Sequence, residues 1–379
     1  MHIAFITPEY PHQTLSRSGG LGTSIKNLAK GLVAHDVTAT IFVLGQLKEG
    51  QFKEEGVQVV CIAKRKHWAF NWYLERKRYQ RIIQKHIDKE RIDLVEVPDW
   101  TGISAFMKFK IPLVIRLHGS DRYFCHLEDR KQKWKHHFLE KRAIKYADAI
   151  VSVSSFTGEL TKELFRLNQP IVTIPNGINT DDFKPLDIAI NQGQILYFGT
   201  LIRKKGVLEL AKIFNKVVEK VPGCTLFLIG KDALDVFEKV STLSLFRSLL
   251  SDQAKKRVKH LDEVPYAEVK THIASSQVVV LPSFAEAFPM TWLETLAMEK
   301  ALVSSNIGWA KELMVDGVTG YTVNPKDHEL YAERISDLLN DSNKCAQFGK
   351  AGRDHVIRYF STAVIVKQNI EFYKSIINL

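Results

Sequence analysis

Short apolar runs alternate along the chain with longer segments in which apolar residues recur every three or four positions. Runs at 3–7, 37–44, 57–62, 93–97, 112–117, 149–154 and 171–175 are dense in Ile, Val and Leu. Such runs predict strands buried on both faces of a parallel sheet. Between them lie helical stripes, the first at 24–34, where Ile25, Leu28, Ala29 and Leu32 share a face and Thr23 or Ser24 could cap. Asn176-Gly177 is a turn signal, and 183–193 has no periodicity and reads as a linker. The alternation then restarts, with strands at 194–198, 225–229, 258–261, 277–282 and 301–305 and helices at 206–220, 268–274 and 289–299. A hairpin-like segment is expected at 317–323, then helices at 326–340, 343–359 and 361–377. Two such series predict an α/β fold of two doubly wound domains facing across a cleft. Expected bounds are 1–185 and 186–360, with a last helix, 361–379, packing back on the first domain.

Length agrees with this division, since 379 residues exceed one ordinary core. No basic start followed by an apolar stretch suggests a signal peptide, and no apolar run reaches the roughly 18 residues of a spanning helix. Cys61, Cys125, Cys224 and Cys345 are scattered, which fits reduced core thiols and a cytoplasmic setting. The net charge of +11 is uneven: residues 1–185 hold 29 Lys/Arg against 20 Asp/Glu, and 186–379 hold 24 against 22. Segment 64–91 alone has ten Lys/Arg and three acids, interleaved with Trp68, Phe70, Trp72 and Tyr73. That pattern suits peripheral contact with an anionic membrane, at the inner face of the plasma membrane, or a solvated helix whose aromatics enter the core. Nucleic acid is set aside as a partner, because charge alone speaks for it. A second basic helical stretch, 130–145, carries Trp134 and Phe138.

Candidate chemistry gathers where strands end. Gly19-Gly-Leu-Gly22 precedes a helix, where backbone N–H groups can approach an anion. His118 closes the strand 112–117 and is placed to hydrogen-bond a ligand. Arg203, Lys204 and Lys205 lie in a strand-to-helix turn and could grip a diphosphate. After the strand 277–282, Glu286 sits in a loop, and Glu294 lies on an apolar helix between Met290 and Met298. A Glu on such a face is either satisfied locally or belongs to a ligand site. There is no P-loop, Asp-x-Asp, Gly-x-Ser-x-Gly or zinc-spaced cluster, so NTPase, serine-nucleophile and metal-dependent mechanisms have no residues to rest on.

Seven features in order resemble the retaining glycosyltransferases of family four, which have the GT-B fold of two Rossmann-like domains. They are Gly19-Gly-Leu-Gly22, the strand end at His118, Pro175-Asn-Gly-Ile-Asn179-x-x-x-Phe183, Lys205-Gly206, Leu281-Pro-Ser, Glu286-x7-Glu294, and Glu312-Leu-x-x-Asp-Gly-x-x-Gly320. The resemblance runs almost end to end. It implies a nucleotide-diphosphate sugar, UDP- or GDP-linked, as co-substrate, with no other cofactor and no metal. Glu294 would accept from the ribose, and Glu286 with the amides of Ala287 and Phe288 would hold the sugar. Lys205, with Arg203, Gly199, Thr200, Gly20 and Gly22, would meet the diphosphate. His118 would contact the sugar and stabilise developing charge. Glu9, Glu96, Asp99, Trp100 and Asp121 are candidates for the acceptor, a glycan or lipid-linked hydroxyl in cell-surface polysaccharide synthesis. Two departures stand out: the family usually carries Arg where Thr200 stands, and Gly where Pro289 stands. A sugar-nucleotide epimerase of the same fold and a non-catalytic glycan- or nucleotide-binding module remain open.

Overall fold

The computed structural model describes residues 1–15, 18–65 and 70–378, so Lys66 and Trp68 of the basic aromatic segment lie outside the described residues. The chain forms two compact units, Met1–Gly177 with Ser361–Leu379, and Ile178–Phe360. The division falls at Gly177, earlier than the boundary expected at 185. The reason is local: Arg353 of the second unit donates to the carbonyls of Phe183 (3.0 Å) and Thr180 (3.2 Å) and so holds 178–183 there.

The first unit is built on eight strands: β1 (His2–Thr7), β2 (Thr38–Gln46), β3 (Gly50–Glu54), β4 (Val57–Ala63), β5 (Leu94–Pro98), β6 (Leu113–Leu117), β7 (Ala149–Ser152) and β8 (Ile171–Thr173). Their order is β3-β4-β2-β1-β5-β6-β7-β8, and all pairs are parallel except the β3–β4 hairpin. The sequence pattern does not announce β3, because its residues are polar and largely exposed. On β1, successive side chains enter opposite cores. Ile3 and Phe5 join Ile25, Leu32, Phe372 and Tyr373, while Ala4 and Ile6 join Ile83, Leu139 and Ile144. The helix Gly20–Val33 starts before position 24, capped by neither Thr23 nor Ser24; Ser24 is buried and donates to Asn176 Oδ1 at 2.7 Å. The helix Thr362–Ile377 packs on the same face, with Val366 against Gly31, where a Cβ would come within 2.4 Å of the valine.

The second unit carries six strands: β9 (Gln194–Phe198), β10 (Thr225–Ile229), β11 (Val258–Leu261), β12 (Val278–Leu281), β13 (Ala301–Ser305) and β14 (Tyr321–Val323). They run parallel in the order β11-β10-β9-β12-β13-β14. Segment 317–323 is therefore not a hairpin. The chain passes through the helix Ala310–Leu313 before β14 joins β13, so the pairing is a parallel crossover. Among the described residues no helix is long and apolar enough to cross a membrane.

One buried ion pair ties the first sheet to the C-terminal helix. Arg116 on β6 donates to Glu96 on β5 through Nε (2.7 Å) and Nη2 (2.9 Å), and Tyr373 donates to the same carboxylate at 2.7 Å. Nη1 of Arg116 reaches the Ile174 carbonyl at 3.3 Å, and Nη2 also bonds Asn369. Glu96, expected among the acceptor residues, is 2% exposed, and its oxygens are engaged by Arg116 and Tyr373 inside the core. Removing one partner strands the other charge, which costs far more than a surface pair. Glu96→Ala should lower the unfolding free energy of the first unit by about 3–5 kcal/mol, read by urea titration. A variant within error of wild type would remove the pair from the account of stability.

Candidate functional site

In the second unit, three strand-to-helix turns converge at the carboxyl ends of β9, β10 and β12. Gly206 has φ +71° and faces the Pro282 carbonyl, where a Cβ would stand 1.8 Å from the oxygen. The Phe284 N–H donates to the Lys204 carbonyl at 2.8 Å, so the turn after β9 is strapped to the turn after β12. This brings Lys205 Nζ to 3.2 Å from Glu286 Oε1, and Ser283 Oγ donates to the same oxygen at 3.1 Å. Lys205 also lies over Gly199, with Nζ 3.6 Å from where a Cβ would be. Tyr197 beneath them donates to the Thr200 carbonyl at 3.1 Å. Lys205, Glu286, Gly199 and Thr200 are thus brought together.

Glu294 lies on the helix Met290–Ala297, which Pro289 precedes, and is 4% exposed. Burial pushes its carboxyl up to about 7, against the Tyr266 hydroxyl and the Lys205 charge. Tyr266 donates to Glu294 Oε1 at 2.5 Å. The residue is 48% exposed although its hydroxyl is bound to Glu294, and its ring lies 5.7 Å from that of Phe183. Tyr266 was not anticipated from the sequence, where it sits among polar residues before a weakly periodic helix. Ala287 and Phe288 are buried, Phe288 against Phe360, so these side chains anchor the loop. Arg203 does not join this cluster. Its guanidinium grips Asp235 in a fork (2.7 and 3.1 Å) and Glu238 at 2.9 Å, with Phe237 stacked 5.3 Å away.

The first unit holds a second cluster after β5 and β6. Asp99 is fully buried and accepts the His118 N–H at 2.9 Å; burial pushes its carboxyl up to about 8. His118 is half-buried, and desolvation, then the Arg116 charge, holds its ring down to about 3, so the imidazole is neutral. Glu140, missed in the sequence because it reads as one more charge in a basic helix, organises both loops. It accepts from the N–H groups of Thr101 (3.2 Å), Asp121 (2.8 Å) and Arg122 (3.2 Å). Asp121 is itself paired with His136 at 3.0 Å and Arg130 at 3.5 Å. Trp100 is 38% exposed, packed edge-on against Phe124. At the helix start, Glu9 Oε1 accepts from the N–H groups of Gly19 (3.0 Å) and Gly22 (2.8 Å). Gly20 opens that helix beside them. Glu9 and Asp121 therefore serve as internal anchors, and of the five acceptor candidates Trp100 offers the most open surface.

In the basic segment 64–91, Arg76 and Arg78 are engaged within the unit, while Lys64, Arg65, Arg81, Lys85, Lys89 and Arg91 are exposed. Arg76 bonds the carbonyls of Trp72 (3.0 Å) and Gly102 (3.2 Å), and Arg78 pairs with Glu75 at 2.7 Å. Trp72 and Tyr73 pack on Phe106 at 5.5 and 5.3 Å. A cavity of about 370 Å³ opens beside them at the ends of β1, β2 and β4, lined by Pro8, Leu44, Lys64, Trp72 and Arg76 among others.

Comparison with known proteins follows the same halves. Residues 179–355 match the family model described as Glycosyl transferases group 1, and residues 18–182 that described as Glycosyltransferase Family 4. Alpha-maltose-1-phosphate synthase of Mycolicibacterium smegmatis is 28% identical over 260 residues, 63% of this chain and 66% of that protein. Glycogen synthase of Mycobacterium tuberculosis is 25% identical over 418 residues, covering 98% of this chain and 94% of that one. The solved sucrose-phosphate synthase of Thermosynechococcus elongatus superposes with TM-score 0.80 at 18% identity, over 99% of this chain and 98% of its own. Anabaena HepE in complex with UDP-glucose gives 0.75 at 18% identity, over 99% and 100%.

The state of Glu294 has a consequence for stability. Its folded pKa is raised, so the folded chain binds this proton more tightly than the unfolded one between about 4.5 and 7. Stability from this group is greatest below that window and declines as pH rises through it. Glu294→Gln should flatten that part of the profile when urea midpoints are compared from pH 4 to 8. An unchanged slope would show that Glu294 titrates normally.

Proposed function

The chain belongs to the glycosyltransferases of family four, and we propose that it moves a sugar from a UDP- or GDP-linked donor to a hydroxyl of a glycan or lipid-linked acceptor, with retention at the anomeric carbon. The observation that carries this reading is the Lys205–Glu286 pair at 3.2 Å, with Glu294 buried on the helix that follows. A cation beside a carboxylate suits a leaving diphosphate next to a sugar whose hydroxyls need acceptors. Glu294 is assigned to the ribose hydroxyls, Glu286 to the sugar, and Lys205 to the oxygen that leaves. The bond from the anomeric carbon to the diphosphate oxygen breaks, and the acceptor oxygen bonds on the same face. Its proton passes to the departing phosphate oxygen. His118, neutral and positioned through its main chain by Asp99, is assigned to a sugar hydroxyl. We assign no divalent ion to the leaving group, because Lys205 supplies the charge there.

Thr200 stands where the family carries arginine, and Arg203 is engaged by Asp235 and Glu238 rather than filling that place. Lys205 is then assigned the charge that meets the diphosphate in place of that arginine. The acceptor is assigned to the cavity beside Trp72 and Lys64. Its product is placed in polysaccharide synthesis, in keeping with the glycogen synthase relative.

Two experiments test this reading. Incubation with UDP- and GDP-sugars, with the product anomer read by NMR, should give a transferred or water-captured sugar of the donor's configuration, unaffected by excess chelator. An inverted sugar, or an epimerised sugar still attached to nucleotide, would overturn it. Loss of a charge-assisted contact to the leaving group costs about 3–4 kcal/mol, so Lys205→Met should lower kcat by roughly 10²–10³. Arg203→Met should lower it much less, acting through the loop 232–240. Equal losses would return Arg203 to the diphosphate.

A further inference from the structure

The helix Trp134–Lys145 carries a surface that the proposed transfer does not use. Trp134 is 77% exposed and lies flat on Phe138, with ring centroids 5.5 Å apart and planes at 12°. A single exposed ring needs no explanation, but a stacked pair left open to water presents a continuous apolar patch. Phe138 packs on Phe106, and Arg142 lies over Phe106 and over Tyr146, itself 57% exposed. Lys131 and Lys133 just before the helix and Lys135, Lys141 and Lys145 on it are exposed, with Lys135 over Trp72 and Lys145 over Tyr146. The helix contains one carboxylate, Glu140, and it is fully buried. The outer face therefore carries aromatic surface and positive charge, with no acidic residue of the helix to offset them.

We propose that this face of the helix, centred on Trp134 and Phe138, docks on an anionic lipid bilayer. Aromatic rings favour headgroup depth, where one edge is apolar and the other wet, and Lys and Arg side chains meet anionic lipid at that level. Charge complementarity with the surrounding lysines selects an anionic surface over a neutral one. The patch also runs inward through Phe106 to Trp72, which lines the cavity at the ends of β1, β2 and β4. Docking here would set that cavity beside the lipid surface. The inference stands apart from the transfer reading, since bilayer binding needs no sugar donor. It centres the membrane contact on the helix Trp134–Lys145 rather than on segment 64–91, where Arg76 and Arg78 are bound internally.

The test is co-sedimentation of the full chain with vesicles of equal parts phosphatidylglycerol and phosphatidylcholine, and with vesicles of phosphatidylcholine alone. Wild type should bind the anionic vesicles and not the neutral ones, and rising salt should weaken binding. Trp134→Ser with Phe138→Ser, and separately Lys135→Glu with Lys141→Glu and Lys145→Glu, should each reduce binding by about tenfold or more. The lysine variant should keep the wild-type unfolding midpoint, because its altered side chains are exposed, and the aromatic variant should stay folded with a small loss where Phe138 packs on Phe106. Wild type that ignores anionic vesicles, or variants that bind as wild type does, would overturn the proposal. So would capture by soluble heparin that matches the vesicles in strength, which would point to an anionic polymer. Loss of sugar transfer with vesicle binding intact would count against the proposed function alone.

Discussion

Backbone-to-backbone contact, made possible by missing side chains, decides what the second unit can bring together. Gly206 lies against the Pro282 carbonyl and Gly230 against the Gly199 carbonyl, at separations where a Cβ would fall within 1.8 and 2.0 Å of oxygen. Both have positive φ, so any other residue would be strained as well as crowded. Because the turns after β9 and β12 meet main chain to main chain, Lys205 and Glu286 reach each other from segments far apart in sequence. The same approach leaves Arg203 on the outer side of the turn, facing Asp235. Which cation joins the carboxylates is thus set by the handedness of one turn, not by the spacing of three basic residues.

In the first unit, buried carboxylates do comparable work. Glu140 receives N–H groups from the loops after β5 and β6, and Asp99 receives that of His118. Glu96 and Arg116 bind two neighbouring strands to the C-terminal helix. Glu96 lies on a strand, Asp99 in the loop after it and Glu140 on a helix, and all three turn inward. Their burial requires a partner for every oxygen that remains charged: main-chain N–H groups serve Glu140 and Asp99, and the side chains of Arg116 and Tyr373 serve Glu96. Internal carboxylates of this kind fix the loops that present His118 and Trp100.

The alternation of apolar runs and helical stripes made the two parallel sheets legible, because strands covered on both faces must be apolar throughout. The strand β3 escaped because an exposed edge strand needs no apolar face. Segment 317–323 was misread because Gly and polar residues mark both a hairpin turn and the entry to a parallel edge strand. The pairing of Lys205 with Glu286 and the depth of Glu294 were within reach of motif and pattern. The roles of Tyr266, Glu140 and Asp235 were not, since each acts through a partner distant in sequence. For the same reason Glu96, Asp121 and Arg203, chosen as polar groups near strand ends, proved to be engaged elsewhere.

The central claim is that the Lys205–Glu286–Glu294 cluster receives a nucleotide-diphosphate sugar. A thermal-shift panel of UDP-, GDP- and ADP-glucose against wild type and Lys205→Ala addresses it without knowledge of the acceptor. A bound donor stabilises the folded chain by mass action, so at least one of the three should raise the wild-type midpoint in proportion to the logarithm of its concentration. The same nucleotide should shift Lys205→Ala far less. No shift with any of the three, or an equal shift in the variant, would contradict the account.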